Sequence, residues 1–153
     1  MVERNAEVCK VRRGKLNAPV RVLIVDDNEA DAYLVGESLR IAGIAFELTH
    51  VKDGAGLLET LNRGPADPTR PVADLVFLDF NLPRTDGFEL LAVMRKSPAF
   101  AKVPIAVMSS ALSEQGQARA AALGANCCLI KPLELNAFVD AIGGAVKKLL
   151  SSL

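Results

Sequence analysis

The sequence has no tryptophan, one tyrosine, one histidine and three cysteines in 153 residues, and its 18 acidic side chains equal its 18 basic ones. Each scarcity excludes something. Aromatic residues make up 5% of a chain that is 50% hydrophobic, so the core has to be built from Val, Leu, Ile and Ala. The balanced charge excludes a strongly basic nucleic-acid binder and an acidic, disordered solvating chain. Cys9, Cys127 and Cys128 are odd in number and two are adjacent, which is no disulfide framework; with His50 the lone histidine, there is no zinc spacing either. No stretch approaches the roughly 20 apolar residues that cross a bilayer. The N-terminus lacks the charged-then-apolar layout of a signal peptide. The expectation is a cytoplasmic protein in a reducing compartment, with neither nucleic acid nor membrane as a partner.

What is present is a regular alternation. Residues 1–18 carry five basic and two acidic groups without helical or strand period, and are expected to form a flexible extension. Residues 19–153 are expected to form one domain, with enough chain to bury a core unaided. Val20–Val25 is a β-branched apolar run, and residues 45–51 alternate like a half-covered or edge strand. Residues 74–78, 103–108 and 127–130 are further apolar runs. Between them, residues 29–42, 54–63, 87–96 and 113–123 have helical character, ending at Gly43, at Gly64, before Ser97-Pro98 and at Gly124. In the last segment Leu135, Phe138, Val139, Ile142, Val146, Leu149 and Leu150 share one helical face. The Pro-rich stretch from Arg63 to Pro71 reads as a long loop. Five β–α repeats with continuous apolar strands predict an α/β fold. Its form is a doubly wound five-stranded parallel sheet of order 2-1-3-4-5, flavodoxin-like, with helices on both faces.

Such sheets bind ligands beyond the carboxyl ends of their strands, at the switch in strand order. Here those ends carry Asp26-Asp27 on the first predicted strand and Asp79 on the third. The fourth ends in Ser109-Ser110 and the fifth in Lys131-Pro132. Three carboxylates brought together repel and call for a cation, and hard oxygen donors favour Mg²⁺, Ca²⁺ or Mn²⁺. An ammonium and a hydroxyl beside them suit a phosphoryl group, and a carboxylate can itself be the nucleophile that forms an acyl phosphate. Taken singly, each feature has a plainer reading: Asp26-Asp27 as a helix N-cap, Lys131-Pro132 as a turn.

The motifs Val22-Leu23-Ile24-Val25-Asp26-Asp27-Asn28, Leu78 to Gly87 (LDFNLPRTDG), Pro104 to Ser109 (PIAVMS) and Leu129-Ile130-Lys131-Pro132 resemble a response-regulator receiver domain over roughly residues 20–150. The intervals of 30 residues from Asp79 to Ser109 and 22 from Ser109 to Lys131 match that pattern. The resemblance implies a single-domain, chemotaxis-regulator-like switch in a two-component phosphorelay. Asp79 is implied to accept a phosphoryl group from a phosphohistidine on a sensor histidine kinase or phosphotransfer protein. Mg²⁺ (or Mn²⁺) is implied to bind Asp27, Asp79 and the backbone carbonyl of Asn81 directly, and Asp26 through water. Ser109 and Lys131 are implied to stabilise the phosphoryl group, and the bond to Pro132 to be cis, aiming the ammonium into the site. The long loop and the Asp-Phe-Asn-Leu-Pro-Arg wording resemble receivers that partner bacterial phytochromes and related kinases.

Two departures stand out. The position three before Lys131, where receivers carry the Tyr or Phe that turns inward on phosphorylation, is Cys128. A thiol cannot swing a ring, so output is expected through backbone shifts around residues 109–115 and the last strand. Ala111 offers no polar group to orient a hydrolytic water, and Asn81 does so only weakly.

Elsewhere, Cys127 and Cys128 are expected to face opposite sides of a strand as small hydrophobes, and His50 to face solvent. Lys10, Arg12, Arg13 and Lys15 read as a solvated tail. The final helix is expected to pack on the sheet, and homodimerisation stays open. An aspartyl-phosphate enzyme is disfavoured because Asp26-Asp27 are adjacent rather than Asp-x-Asp. A phosphorylation-independent scaffold is the remaining alternative. The expected product is a switch without an output domain or general enzyme activity, acting on an unknown downstream protein.

Overall fold

A computed structural model describes residues 2–5, 18–63 and 72–151. The elements, in chain order, are β1 (Val2–Asn5), β2 (Val20–Val25), α1 (Glu29–Ile41), β3 (Phe46–Val51), α2 (Gly54–Arg63) and β4 (Leu75–Asp79). They continue with α3 (Gly87–Lys96), β5 (Ile105–Ser109), α4 (Glu114–Ala122), β6 (Cys127–Ile130) and α5 (Leu135–Leu150).

The five β–α repeats form the expected parallel sheet. Strands β3-β2-β4-β5-β6 are neighbours in that order, all parallel, which is 2-1-3-4-5 in order of repeats. Side chains alternate across the sheet, as the two-residue strand period requires. Val22, Ile24, Phe77 and Met108 face one layer with Val35 and Leu39 of α1 and Ile142 and Val146 of α5. Leu23, Val25, Leu78 and Val107 face the other with Leu57 of α2, Leu91 and Met94 of α3 and Ala120 of α4. Each fully buried aliphatic side chain contributes about 1.5–3 kcal/mol. Burial on both faces is why these strands read as unbroken apolar runs.

Helix starts are set by local caps. Asn28, Asp86 and Ser113 accept hydrogen bonds from the backbone N–H groups of Ala30, Phe88 and Gly116. Ser113 is therefore the cap of α4, outside the helix it was expected to open. At the other end of that helix Gly124 takes a left-handed φ of 109°, the conformation that glycine adopts without steric cost.

One expectation is corrected. The first 18 residues are not wholly a flexible extension: Val2–Asn5 adds a sixth strand, antiparallel to β3, with Val2 opposite Val51 and Asn5 opposite Leu48. Four residues are too few to show a period, yet the open edge of β3 supplies unpaired backbone groups that any extended segment can satisfy. The basic residues Lys10, Arg12, Arg13 and Lys15, Cys9, and the loop at 64–71 lie outside the described residues.

Candidate functional site

The carboxyl ends of β2, β4, β5 and β6 meet on one rim of the sheet. The ladder of β2 and β3 runs one step further, through the Asp26 N–H to the Val51 carbonyl at 3.0 Å. Asp26 then sits at the end of a buried strand with its side chain fully enclosed, while Asp27 points to solvent. β4 ends the same way in a buried Asp79. Each buried aspartate is held by its own loop: Asp26 Oδ1 accepts from the Asn28 N–H at 2.9 Å, and Asp79 Oδ1 from the Asn81 N–H at 2.8 Å. The helix cap is Asn28, so neither Asp26 nor Asp27 serves as one.

Carboxylate oxygens of Asp26, Asp27 and Asp79 all lie within 4.8 Å of one another. Two oxygens bound directly to one Mg²⁺ span at most about 4.2 Å, given metal–oxygen distances of about 2.1 Å. A set of this spread accommodates one carboxylate acting through water. Hard oxygen donors, two of them buried, fit Mg²⁺ or Mn²⁺ and not a soft metal.

Lys131 follows β6, where its N–H donates to the Ser109 carbonyl at 2.8 Å. Its ammonium reaches Asp31 Oδ2 at 2.7 Å, Asp26 Oδ2 at 3.2 Å and Asp79 Oδ2 at 3.3 Å. Burial alone lowers the Lys131 pKa. The hydrogen bond it donates to Asp31 and the charges of Asp26, Asp79 and Asp31 outweigh it, so the group titrates above the usual ammonium range. Burial pushes the Asp26 carboxyl up to about 7; the Asn28 N–H and Lys131 pull it down, and Asp79 and Asp31 push it up. One ammonium thus leaves the negative charge of the cluster incompletely offset.

Ser109 ends β5, buried, with its hydroxyl donating to the Ala111 carbonyl at 3.0 Å. Asn81 is exposed, and its side-chain oxygen accepts from both the N–H and the hydroxyl of Ser110, at 2.8 and 3.2 Å. The two loops flanking Asp79 are thereby tied together. Cys127 and Cys128 pack against opposite layers of the core, as alternation requires. Burial raises the pKa of both thiols.

Two expectations are overturned. No described peptide bond is cis, the bond to Pro132 included. Trans is the cheaper isomer of an X–Pro bond by about 0.5–1 kcal/mol, and with it the Lys131 ammonium already reaches Asp26 and Asp79. His50 does not face solvent: it is buried, paired through β3 with both β1 and β2, and its Nε2 lies 2.6 Å from the Asp26 carbonyl oxygen. A carbonyl only accepts, so Nε2 carries the hydrogen.

Sequence reasoning brought Asp26, Asp27, Asp79, Asn81, Ser109 and Lys131 to one rim, where they are found. It missed Asp31 and His50. Asp31 stands in the first turn of α1, where an acidic residue reads as an ordinary complement to the helix dipole. Only the folded chain shows that it meets Lys131, which follows β6. The two-residue period of β3 puts His50 on the same face as the buried Phe46 and Leu48, a signal the alternation held and the sequence reading passed over.

The family model for the response regulator receiver domain matches residues 22–143. The response regulator Rcp1 of Synechocystis sp. strain PCC 6803 is 31% identical over 128 residues, covering 84% of this chain and 87% of that protein. Among solved structures, the phosphorylated cyanobacterial phytochrome response regulator RcpA superposes with a TM-score of 0.76. It is 29% identical and covers 89% of this chain and 97% of that one. The Mn²⁺-bound form of Rcp1 gives a TM-score of 0.75 at 30% identity, covering 88% and 97%. No helix among the described residues is long and apolar enough to cross a membrane.

Proposed function

The chain belongs to the response regulator receiver domain family of two-component systems, and from that premise we propose that it is a phosphorylatable switch whose acceptor is Asp79. The observation that carries this reading is the meeting of a buried Asp79 with Asp26, Asp27 and the Lys131 ammonium at the strand-order switch between β2 and β4. In the transfer, an oxygen of the Asp79 carboxylate attacks the phosphorus of a phosphohistidine on a sensor kinase or phosphotransfer protein. The new P–O bond forms as the P–N bond breaks, and the imidazole nitrogen keeps the electron pair.

The residues divide this work. The Asn81 N–H holds the Asp79 carboxylate in one plane, and burial keeps it poorly hydrated and available as a nucleophile. Asp26, Asp27, Asp79 and the Asn81 carbonyl would hold a Mg²⁺ or Mn²⁺ ion, which would neutralise charge on the transferring group. Lys131 donates to a phosphoryl oxygen, and the Ser109 hydroxyl turns from Ala111 to do the same. Cys128 cannot signal this by a ring movement, so the output passes through the backbone of residues 109–115 and β6. The likeness to phytochrome response regulators supports a photoreceptor kinase as the phosphodonor; the signal passes on to a downstream protein in the cytoplasm.

Incubation with Mg²⁺ and acetyl phosphate, read by intact mass, tests the reading. One base-labile phosphate adduct, absent from Asp79→Ala, is expected. Absence of an adduct in the parent chain overturns the reading in favour of a scaffold, and an undiminished adduct in Asp79→Ala overturns the choice of acceptor. Amide shifts on phosphorylation confined to the Asp79 pocket would defeat the route through residues 109–115.

A further inference from the structure

The shortest contact of the Lys131 ammonium is to a carboxylate outside the metal-binding set. Asp31 Oδ2 lies 2.7 Å away, against 3.2 Å for Asp26 and 3.3 Å for Asp79. An ammonium has three N–H donors and no acceptor; here it donates to Asp31 and Asp26 and pairs ionically with Asp79. Asp31 is not among the residues whose oxygens converge as a metal site; those are Asp26, Asp27 and Asp79. It therefore holds the lysine without being drawn away when a cation arrives.

Its own position is well determined. It stands in the first turn of α1, where Asn28 caps the helix and the neighbouring Ala32 and Val35 are buried in the core. The positive end of the helix favours its charge there. Lys131 is held from the other side by its N–H bond to Ser109, which sets where the side chain departs from β6.

We propose that Asp31 is a positioning residue for the phosphoryl-transfer site. Its carboxylate holds the Lys131 ammonium partly back from Asp26 and Asp79. Those two are then free to take up a divalent cation, while the ammonium stays within reach of a phosphoryl group on Asp79. The inference rests on the receiver reading above. Without Asp31 the ammonium settles fully on Asp26 and Asp79, and an incoming cation has to displace it.

The test is a double-mutant cycle on Mn²⁺ binding, measured by titration calorimetry on the full chain with Asp31→Asn, Lys131→Met and the pair. Asp31→Asn is expected to weaken Mn²⁺ roughly three- to tenfold when Lys131 is present, and by less than about twofold in the Lys131→Met background. Asp31→Glu, which keeps the charge, is expected to stay within about twofold of the parent. Asp31→Ser, tolerated at a helix start, carries the same expectation as Asp31→Asn should the latter fold poorly by circular dichroism. Equal weakening with and without Lys131 means that Asp31 acts only as bulk negative charge, and overturns the proposal. Unchanged binding in Asp31→Asn overturns it too, and leaves the receiver reading intact if the parent still forms its phosphate adduct. A parent that neither binds Mn²⁺ nor forms the adduct brings down both.

Discussion

The imidazole of His50 donates from Nε2 to the carbonyl oxygen of Asp26 at 2.6 Å, joining β3 to the end of β2 at the point where the acidic cluster begins. The bond is buried, so water does not replace it when it is lost. Leaving a buried acceptor unsatisfied costs about 1–3 kcal/mol. His50→Leu is expected to lower the stability to urea by that amount. His50→Gln, which keeps an N–H donor of similar reach, should recover part of it.

Asp26 gives the site a pH dependence of defined sign. Its carboxyl is pushed up to about 7, chiefly by burial, from an ordinary value of 3.8. The folded metal-free protein therefore binds a proton between those values that the unfolded chain does not. This contribution to stability is fully present below about pH 4 and is lost as pH rises through about 7. Urea titrations of the metal-free protein should show this fall, and Asp26→Asn should flatten it and raise stability at pH 8. Metal has to displace the same proton, so Mn²⁺ affinity is expected to drop by up to about tenfold per pH unit below 7.

Gly87 opens α3 directly beneath the ring of Phe80. A Cβ there would overlap the Phe80 ring. The ring has little freedom to yield: Phe88 packs on it edge-to-face at 4.9 Å, and the Arg119 guanidinium covers Phe88 at 4.2 Å. Gly87→Ala is expected to cost about 1–3 kcal/mol, as overpacking does. Because Phe80 lies between Asp79 and Asn81, the displaced ring also shifts the N–H that holds Asp79, and acetyl phosphate labelling should slow.

Arg95 is a structural clasp away from the chemistry. Its guanidinium donates to the carbonyls of Phe100, Val103 and Gly124 and to Asn126 Oδ1, at 2.6–3.0 Å, joining α3 to the segments that enter β5 and β6. Asn126 Oδ1 in turn accepts from the Ile105 N–H. Arg95→Ala should cost about 2–4 kcal/mol in urea unfolding. Arg95→Lys should recover only a minor part, since an ammonium has no planar fork to reach four acceptors. Under conditions where the variant is folded, labelling at Asp79 should be unchanged.

Much of this molecule is legible in one dimension. The strands at 20–25 and 127–130 and the helices at 54–63, 87–96 and 135–150 fall where the apolar periods place them. Period is a local property set by 3.6 or 2 residues per repeat, and it survives without knowledge of neighbours. The convergence of Asp79, Asp26, Asp27 and Lys131 is legible too, because a parallel sheet forces every strand to end on the same rim. What escapes is decided between elements distant in the chain. β1 forms because β3 has an open edge, and its four residues show no period. His50 shares the buried face of Phe46 and Leu48, but that its Nε2 bonds the Asp26 carbonyl is decided only when β3 lies beside β2. The trans bond to Pro132 suffices because Lys131 already reaches its carboxylates.

The order and type of residues by themselves determined the layered α/β fold, the rim on which the chemistry sits and the kinds of groups assembled there. These follow from local propensity and from the hydrophobic effect acting on a repeating pattern. Only the tertiary structure decided how one ammonium is divided among Asp31, Asp26 and Asp79 and which of the paired aspartates is enclosed. Electrostatic energies vary with distances of a few tenths of an ångström and with burial, and neither quantity exists until Asp31 and Lys131, 100 residues apart in the chain, are brought together.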